Sequence, residues 1–189
     1  MRYTGWPPFW VPHVQDIAPY LYDGKIECTM AHGGQAGPGH ADFWRATPEG
    51  QFFLLRGFQE DARGEGHEPG TTLELTTPVW RMGEILLHAA SMARQFEVPD
   101  AKVVFCVRWT RIGGRTLVSH ANHLWYDLED YSARQDVFQN QITIQADQIA
   151  DALPETVDQL LRPLYALFNF FDPPQAFVAN ELARMRDRR

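Results

Sequence analysis

Between Pro78 and Phe96 the apolar residues Val79, Met82, Ile85, Leu86, Ala89, Met92, Ala93 and Phe96 recur at steps of three and four. That period predicts a helix with one core face. Pro78 suits its first turn, with Thr77 as the cap. Other apolar runs are short and strand-like. KIECTMA follows the turn YDGK, and QFFLLRGF has so many consecutive apolar residues that it predicts a strand covered on both faces, central in a sheet. TTLELTT alternates as a strand does. KVVFCVRWT is a strong strand that IGGR turns into TLVSHA, which predicts two hairpin neighbours, and NQITIQADQI is a further strand. The helical period returns in ALPETVDQLLRPLYALFNFF, starting at Pro154 with a kink expected at Pro163, and in AFVANELARMRDRR, whose basic end suits the negative pole of a helix.

The punctuation between these runs completes the layout. Residues 1–20 carry Pro7, Pro8 and Pro12, which exclude a helix and predict an extended, aromatic lead-in. AHGGQAGPGH reads as a surface loop without the strand and helix that phosphate binding requires, and ADFWRATPEG as a turn-like segment. Residues 173–189 read as a helical tail. Runs of strands broken by one long helix predict an α+β fold, with a largely antiparallel mixed sheet and a long central helix on which the C-terminal helices pack. A length of 189 residues sets one domain as the expectation.

Composition narrows the partners. A net charge of -7 argues against a dominant basic surface, so the chain alone is not expected to bind DNA strongly. Lys25 and Lys102 are its only lysines, and Arg, which favours planar and bidentate contacts, supplies its other cations. Aromatic residues reach 13%, which suits cores, interfaces and stacking pockets alike. No apolar run approaches the roughly 18 residues of a membrane span, and no signal segment opens the chain, so a cytoplasmic protein without membrane contact is expected. Cys28 and Cys106 each lie in an apolar run, where a buried free thiol is the expected state.

Three constellations could carry chemistry. Arg81, Glu84, His88, Ser91 and Gln95 form a polar stripe along the long helix; Glu84 could orient His88 for acid-base work, or the stripe could be a solvated face. In SHANHLW, His120 and His123 would share a metal only on a helix, and no third ligand stands at a known spacing. Glu60 and Asp61, with Arg56, end the FFLLR strand as a divalent-cation site would, or as a solvated salt bridge would. A nuclease would also want a nearby Lys, and the loop that supplies Glu65 and Glu68 has none. No GxSxG, P-loop or paired catalytic Cys is present, and no cofactor or metal is implied.

Taken together, GWPPFWVP, DFWRATPEGQFFLLRGFQED, PVWRMGEILLHAA and RWTRIGGRTL resemble the C-terminal region of bacterial proteins that carry an N-terminal Schlafen/AlbA-type DNA-binding domain. The resemblance spans about residues 3 to 172 and implies that such a domain would precede GWPPFWVP. It implies a regulatory context rather than a reaction, and carries no catalytic residue onto this chain. It marks Trp44, Arg45, Arg56, Gly57, Glu60, Asp61, Trp80, Arg81, Glu84, His88, Trp109 and Arg115 as the part with shared identity. The resulting expectation is a non-enzymatic effector-binding or oligomerisation domain, whose Arg and aromatic residues would take a small anionic or planar ligand or another protomer. DNA would be reached only through an attached or partner domain. The alternative is a metal-dependent hydrolase or nuclease built on Glu60, Asp61, Glu84 and His88.

Overall fold

The computed structural model describes residues 7–13, 15–31, 41–62, 68–119, 127–128 and 130–187. They divide into two compact units, one of residues 7–72 and one from residue 73 onward. The elements are those of an α+β fold with a long central helix and C-terminal helices packed on it.

The first unit is an antiparallel sheet in the order β1-β2-β3-β4, from Tyr20–Tyr22, Lys25–Ala31, Ala41–Ala46 and Phe52–Arg56. Asp23 and Gly24, both at positive φ (49° and 71°), form the tight turn between β1 and β2, the conformation for which Asp-Gly is suited. Cys28 pairs with Trp44 and Trp44 with Leu54, while Met30, Asp42 and Arg56 form the adjacent row. These residues share the inner face, because strand side chains alternate. The aromatic lead-in packs there: Trp44 Nε1 donates to the Trp10 carbonyl at 2.9 Å, and Phe9 stands edge-on to Trp44 and Phe52. Cys28 is buried as expected, its Sγ donating to the Ile17 carbonyl, and burial raises its thiol pKa.

Two expectations are corrected here. ADFWRATPEG is not merely a turn: its first half is β3, with Asp42 and Trp44 turned inward and Phe43 and Arg45 outward. A polar residue on the inner side hides the alternation, and Asp42 is stable there because Arg56 meets it, Nε at 2.9 Å and a terminal nitrogen at 2.8 Å. FFLLR is not central but, among the described residues, the last strand of the sheet, and Phe53 and Leu55 remain exposed. Its consecutive apolar residues are divided between the two faces.

In the second unit, α1 (Thr77–Gln95) is the element that the apolar period foresaw, although Phe96 is exposed beyond its end. Thr76, not Thr77, is its N-cap residue, and its side chain makes no capping bond. Glu74, at the end of β5 (Thr72–Glu74), does that work: its Oε2 accepts from the backbone N–H and the hydroxyl of both Thr76 and Thr77, at 2.7 to 3.1 Å. A carboxylate there also suits the positive pole of the helix.

The expected hairpin of KVVFCVRWT with TLVSHA does not form. β6 (Lys102–Thr110) pairs antiparallel with β8 (Val137–Gln145), and the three-residue β7 (Thr116–Val118) pairs with β5. β8 matches all nine residues of β6, from Lys102 opposite Gln145 to Thr110 opposite Val137, and β7 is too short to do so. The turn between β6 and β7 is instead tied to the later chain, with Ile112 N–H on the Asp136 carbonyl and Gly114 N–H on that of Ala133. Cys106, expected to be buried, lies on the exposed face of the β6–β8 ribbon, 3.1 Å from Gln141 Oε1.

α2 (Leu153–Tyr165) runs through Pro163. Proline has no N–H to give the carbonyl four residues earlier. Asn140 on β8 makes up the loss, its Nδ2 donating to the Gln159 and Leu160 carbonyls, each at 3.1 Å. α3 (Phe177–Asp187) packs on α1 and α2, with its Leu182 and Met185 against Gly83 of α1. The described helices include none long and apolar enough to cross a membrane.

Candidate interaction surface

The outer face of the first sheet is built by residues one step out of phase with its buried ones. Register places Tyr20 opposite Glu27, Glu27 opposite Arg45 and Arg45 opposite Phe53, with Thr29, Phe43 and Leu55 in the next row. Arg45 donates to Glu27 Oε1 from Nε at 2.6 Å and from a terminal nitrogen at 2.5 Å, and the Tyr20 hydroxyl donates to Oε2 at 3.3 Å. Glu27 is therefore only 5% exposed on an otherwise open face. The Arg45 guanidinium stands 5.7 Å from the centre of the Phe43 ring, and Phe43 contacts Phe53.

Around this neutral centre, Tyr22 is 62%, Phe53 53% and Leu55 59% exposed. Scattered single apolar residues need no explanation, but Phe53 and Leu55 stand beside Phe43 on one face, whereas Tyr22 lies on β1 at the other edge of the sheet. Arg45 and Arg56, which the sequence offers as anion receptors, each face a carboxylate of a neighbouring strand.

The other expected residues of this unit serve elsewhere. Trp44 lies on the inner face, opposite to Arg45, since adjacent strand residues cannot share a side. Gly57 continues the β3–β4 ladder, its N–H on the Ala41 carbonyl. Glu60 is buried within the 3₁₀ turn Gln59–Asp61, and Asp61 Oδ1 accepts from Gly70 N–H at 2.8 Å, which closes the following loop.

In the second unit the reading of the α1 stripe as a solvated face is overturned at Glu84, only 2% exposed, on a helix against which both α2 and α3 pack. Trp80 Nε1 donates to Oε2 of the fully buried Glu181 at 3.2 Å. Tyr165, also fully buried, donates to the Leu75 carbonyl; burial first, then the negative charges of Glu74, Glu181 and Asp158, hold its phenol protonated. This polar network ties the three helices to the β5–α1 junction. Arg81 is half-buried on α1, Trp109 is half-buried against Phe138, and Arg115 is buried with its Nε on the Arg111 carbonyl.

Burial lowers the pKa of His88, against an opposing pull from Glu84. The unfolded chain therefore takes up this proton first as pH falls below the ordinary value of 6.5, and the folded state loses stability from there down to its own lower pKa. Urea unfolding at stepped pH is expected to show a shallower decline for His88→Asn than for the wild type in that window. Equal slopes would mean that His88 is solvated.

His120, His123, Glu65 and the loop AHGGQAGPGH, apart from Ala31, lie outside the described residues. Among the described residues, no three His, Cys, Asp or Glu side chains are grouped to hold a metal ion.

The residues that sequence reasoning missed are Tyr20, Tyr22, Glu27, Phe43, Phe53 and Leu55. Their signal was an alternation within YLY, DFWR and FFLLR, visible only once β3 and the edge position of β4 are known. Comparison of the chain with protein families, with curated proteins and with solved structures finds no match.

Proposed function

We propose that this chain is a non-enzymatic assembly and regulatory module whose working surface is the outer face of the β1–β4 sheet, and that it serves a DNA-binding partner. The exposed set of Tyr22, Phe53 and Leu55 around the closed Arg45–Glu27 pair carries the reading. A few well-packed residues, aromatic ones prominent among them, supply most of the binding energy at protein contacts, and a neutralised centre avoids the cost of burying an unanswered charge. The link to DNA is supported by the resemblance of GWPPFWVP and its companion strings to regulator-type proteins. The net charge of -7 fits a module that reaches DNA through another domain.

Photo-crosslinking tests it. Benzoylphenylalanine at position 53, in the producing cell, is expected to give a discrete crosslinked species whose yield falls roughly tenfold with Leu55→Ser, on the scale of a good interface contact. The control is position 170, where Phe170 is 90% exposed in the second unit. Equal products from positions 53 and 170, or a yield indifferent to Leu55, would sink the assignment.

A further inference from the structure

The same sheet has an edge that is built to pair. The bonds from Thr47 N–H to the Gln51 carbonyl and from Gly57 N–H to the Ala41 carbonyl set the phase of the β3–β4 ladder. Residues 51, 53, 55 and 57 turn their backbone groups towards β3. Phe52 and Leu54 must therefore turn theirs the other way, to the side on which the sheet order of the described residues ends.

Edge strands of soluble proteins are normally blunted by Lys, Pro, a bulge or very short length. β4 has none of these protections over FFLL: it holds no charge, Pro or Gly there, and it spans five residues against three for β1 at the opposite edge. The nearest charges of the sheet are closed on one another, Arg45 with Glu27 and Arg56 with Asp42, so a second such edge meets no unanswered charge. The exposed side chains of the strand are also self-complementary. An antiparallel two-fold axis through Leu54 sets Leu54 opposite its own copy in a hydrogen-bonded pair, and places Phe53 of each copy opposite Leu55 of the other. Those flanking pairs fall at the non-hydrogen-bonded positions, where Cα atoms approach to about 4.5 Å and side chains pack closest.

From this we propose that the occupant of the β4 edge is a second copy of this chain, paired antiparallel about Leu54 into a continuous eight-stranded sheet. The pairing packs Phe53 and Leu55 of the two copies side by side in the most apolar part of the outer face, and sets them with Tyr20, Tyr22 and Arg45 of both copies on one extended surface. It rests on the reading of that face as the working surface and names its first partner.

Sedimentation velocity of the full chain is expected to show a dimer. Leu54→Pro removes an N–H that points away from β3, a position where an edge strand tolerates proline, and is expected to weaken the dimer roughly 30-fold while circular dichroism is unchanged. Should that variant fail to fold, Leu54→Cys in a Cys106→Ser background reads the same register. Hydrogen-bonded partners stand about 5.5 Å apart at Cα, within disulfide reach, so mild oxidation should link two chains through position 54. A chain that stays monomeric and forms no such link overturns the pairing, while a Leu55-dependent crosslink from position 53 to a different protein would still uphold the proposed function. A dimer that survives Leu54→Pro but is lost with Tyr22→Asp would overturn the edge register and replace it with face-to-face packing.

Discussion

Asp42→Ala is expected to destabilise the N-terminal sheet by about 3 kcal/mol, the scale of a buried ion pair that loses one member. Asp42 and Arg56 have side chains only 9% and 11% exposed, and their contacts are 2.8 and 2.9 Å long. Removal of the carboxylate leaves a desolvated guanidinium with less to balance it. Asp42→Asn should cost nearly as much, because an amide keeps the shape and loses the charge. The double variant Asp42→Leu/Arg56→Leu should recover most of the loss, since an apolar pair often replaces a buried ion pair without penalty. Urea unfolding, with hydrogen exchange of the β3 and β4 amides, reads all three. A change within about 0.5 kcal/mol for Asp42→Ala would mean that the pair is solvated and structurally idle.

Gly83→Val is expected to cost the second unit about 2–3 kcal/mol through overpacking where α3 crosses α1. A Cβ at position 83 would stand 2.4 Å from Leu182 Cδ2 and 3.3 Å from Met185 Cε, both within the core. Gly83→Ala should be much milder: the tip of Leu182 can give way, and a helix gains roughly 1 kcal/mol when Ala replaces Gly. A clear difference between Ala and Val in thermal unfolding therefore reports close helix contact, whereas backbone freedom alone would make both substitutions stabilising. A Val variant as stable as the wild type would show that α3 does not seat over Gly83.

How legible each element was depended on where its partners lay. The α1 period was readable because a helix buries a stripe of its own neighbours in sequence, and one tight turn, Asp23-Gly24, needed only its local conformation. The DFWR strand was not, because its inward Asp42 is permitted only by Arg56, on another strand. FFLLR was read as central because four apolar residues in a row carry no mark of which face is covered. The hairpin at IGGR was inferred from adjacency, yet β6 takes the longer β8. Glu84 sat in a convincing polar stripe and is buried, since burial depends on packing that the stripe does not encode.

The candidate surface shows the same division. DFWRATPEGQFFLLRGFQED was conspicuous for its Arg, Trp and carboxylates, but its alternation sends Trp44 to the core and Arg45 to the open face, and each of its sheet arginines meets an acid from a neighbouring strand. By itself the sequence determined the class of fold, the long helix, the two C-terminal helices and the positions of most strands, since these follow from local period and from turn chemistry. Only the tertiary structure decided which strands pair, which charges are answered and which apolar residues stay in the open. Strand pairing and burial join residues far apart in the chain, and no local pattern contains the register between them.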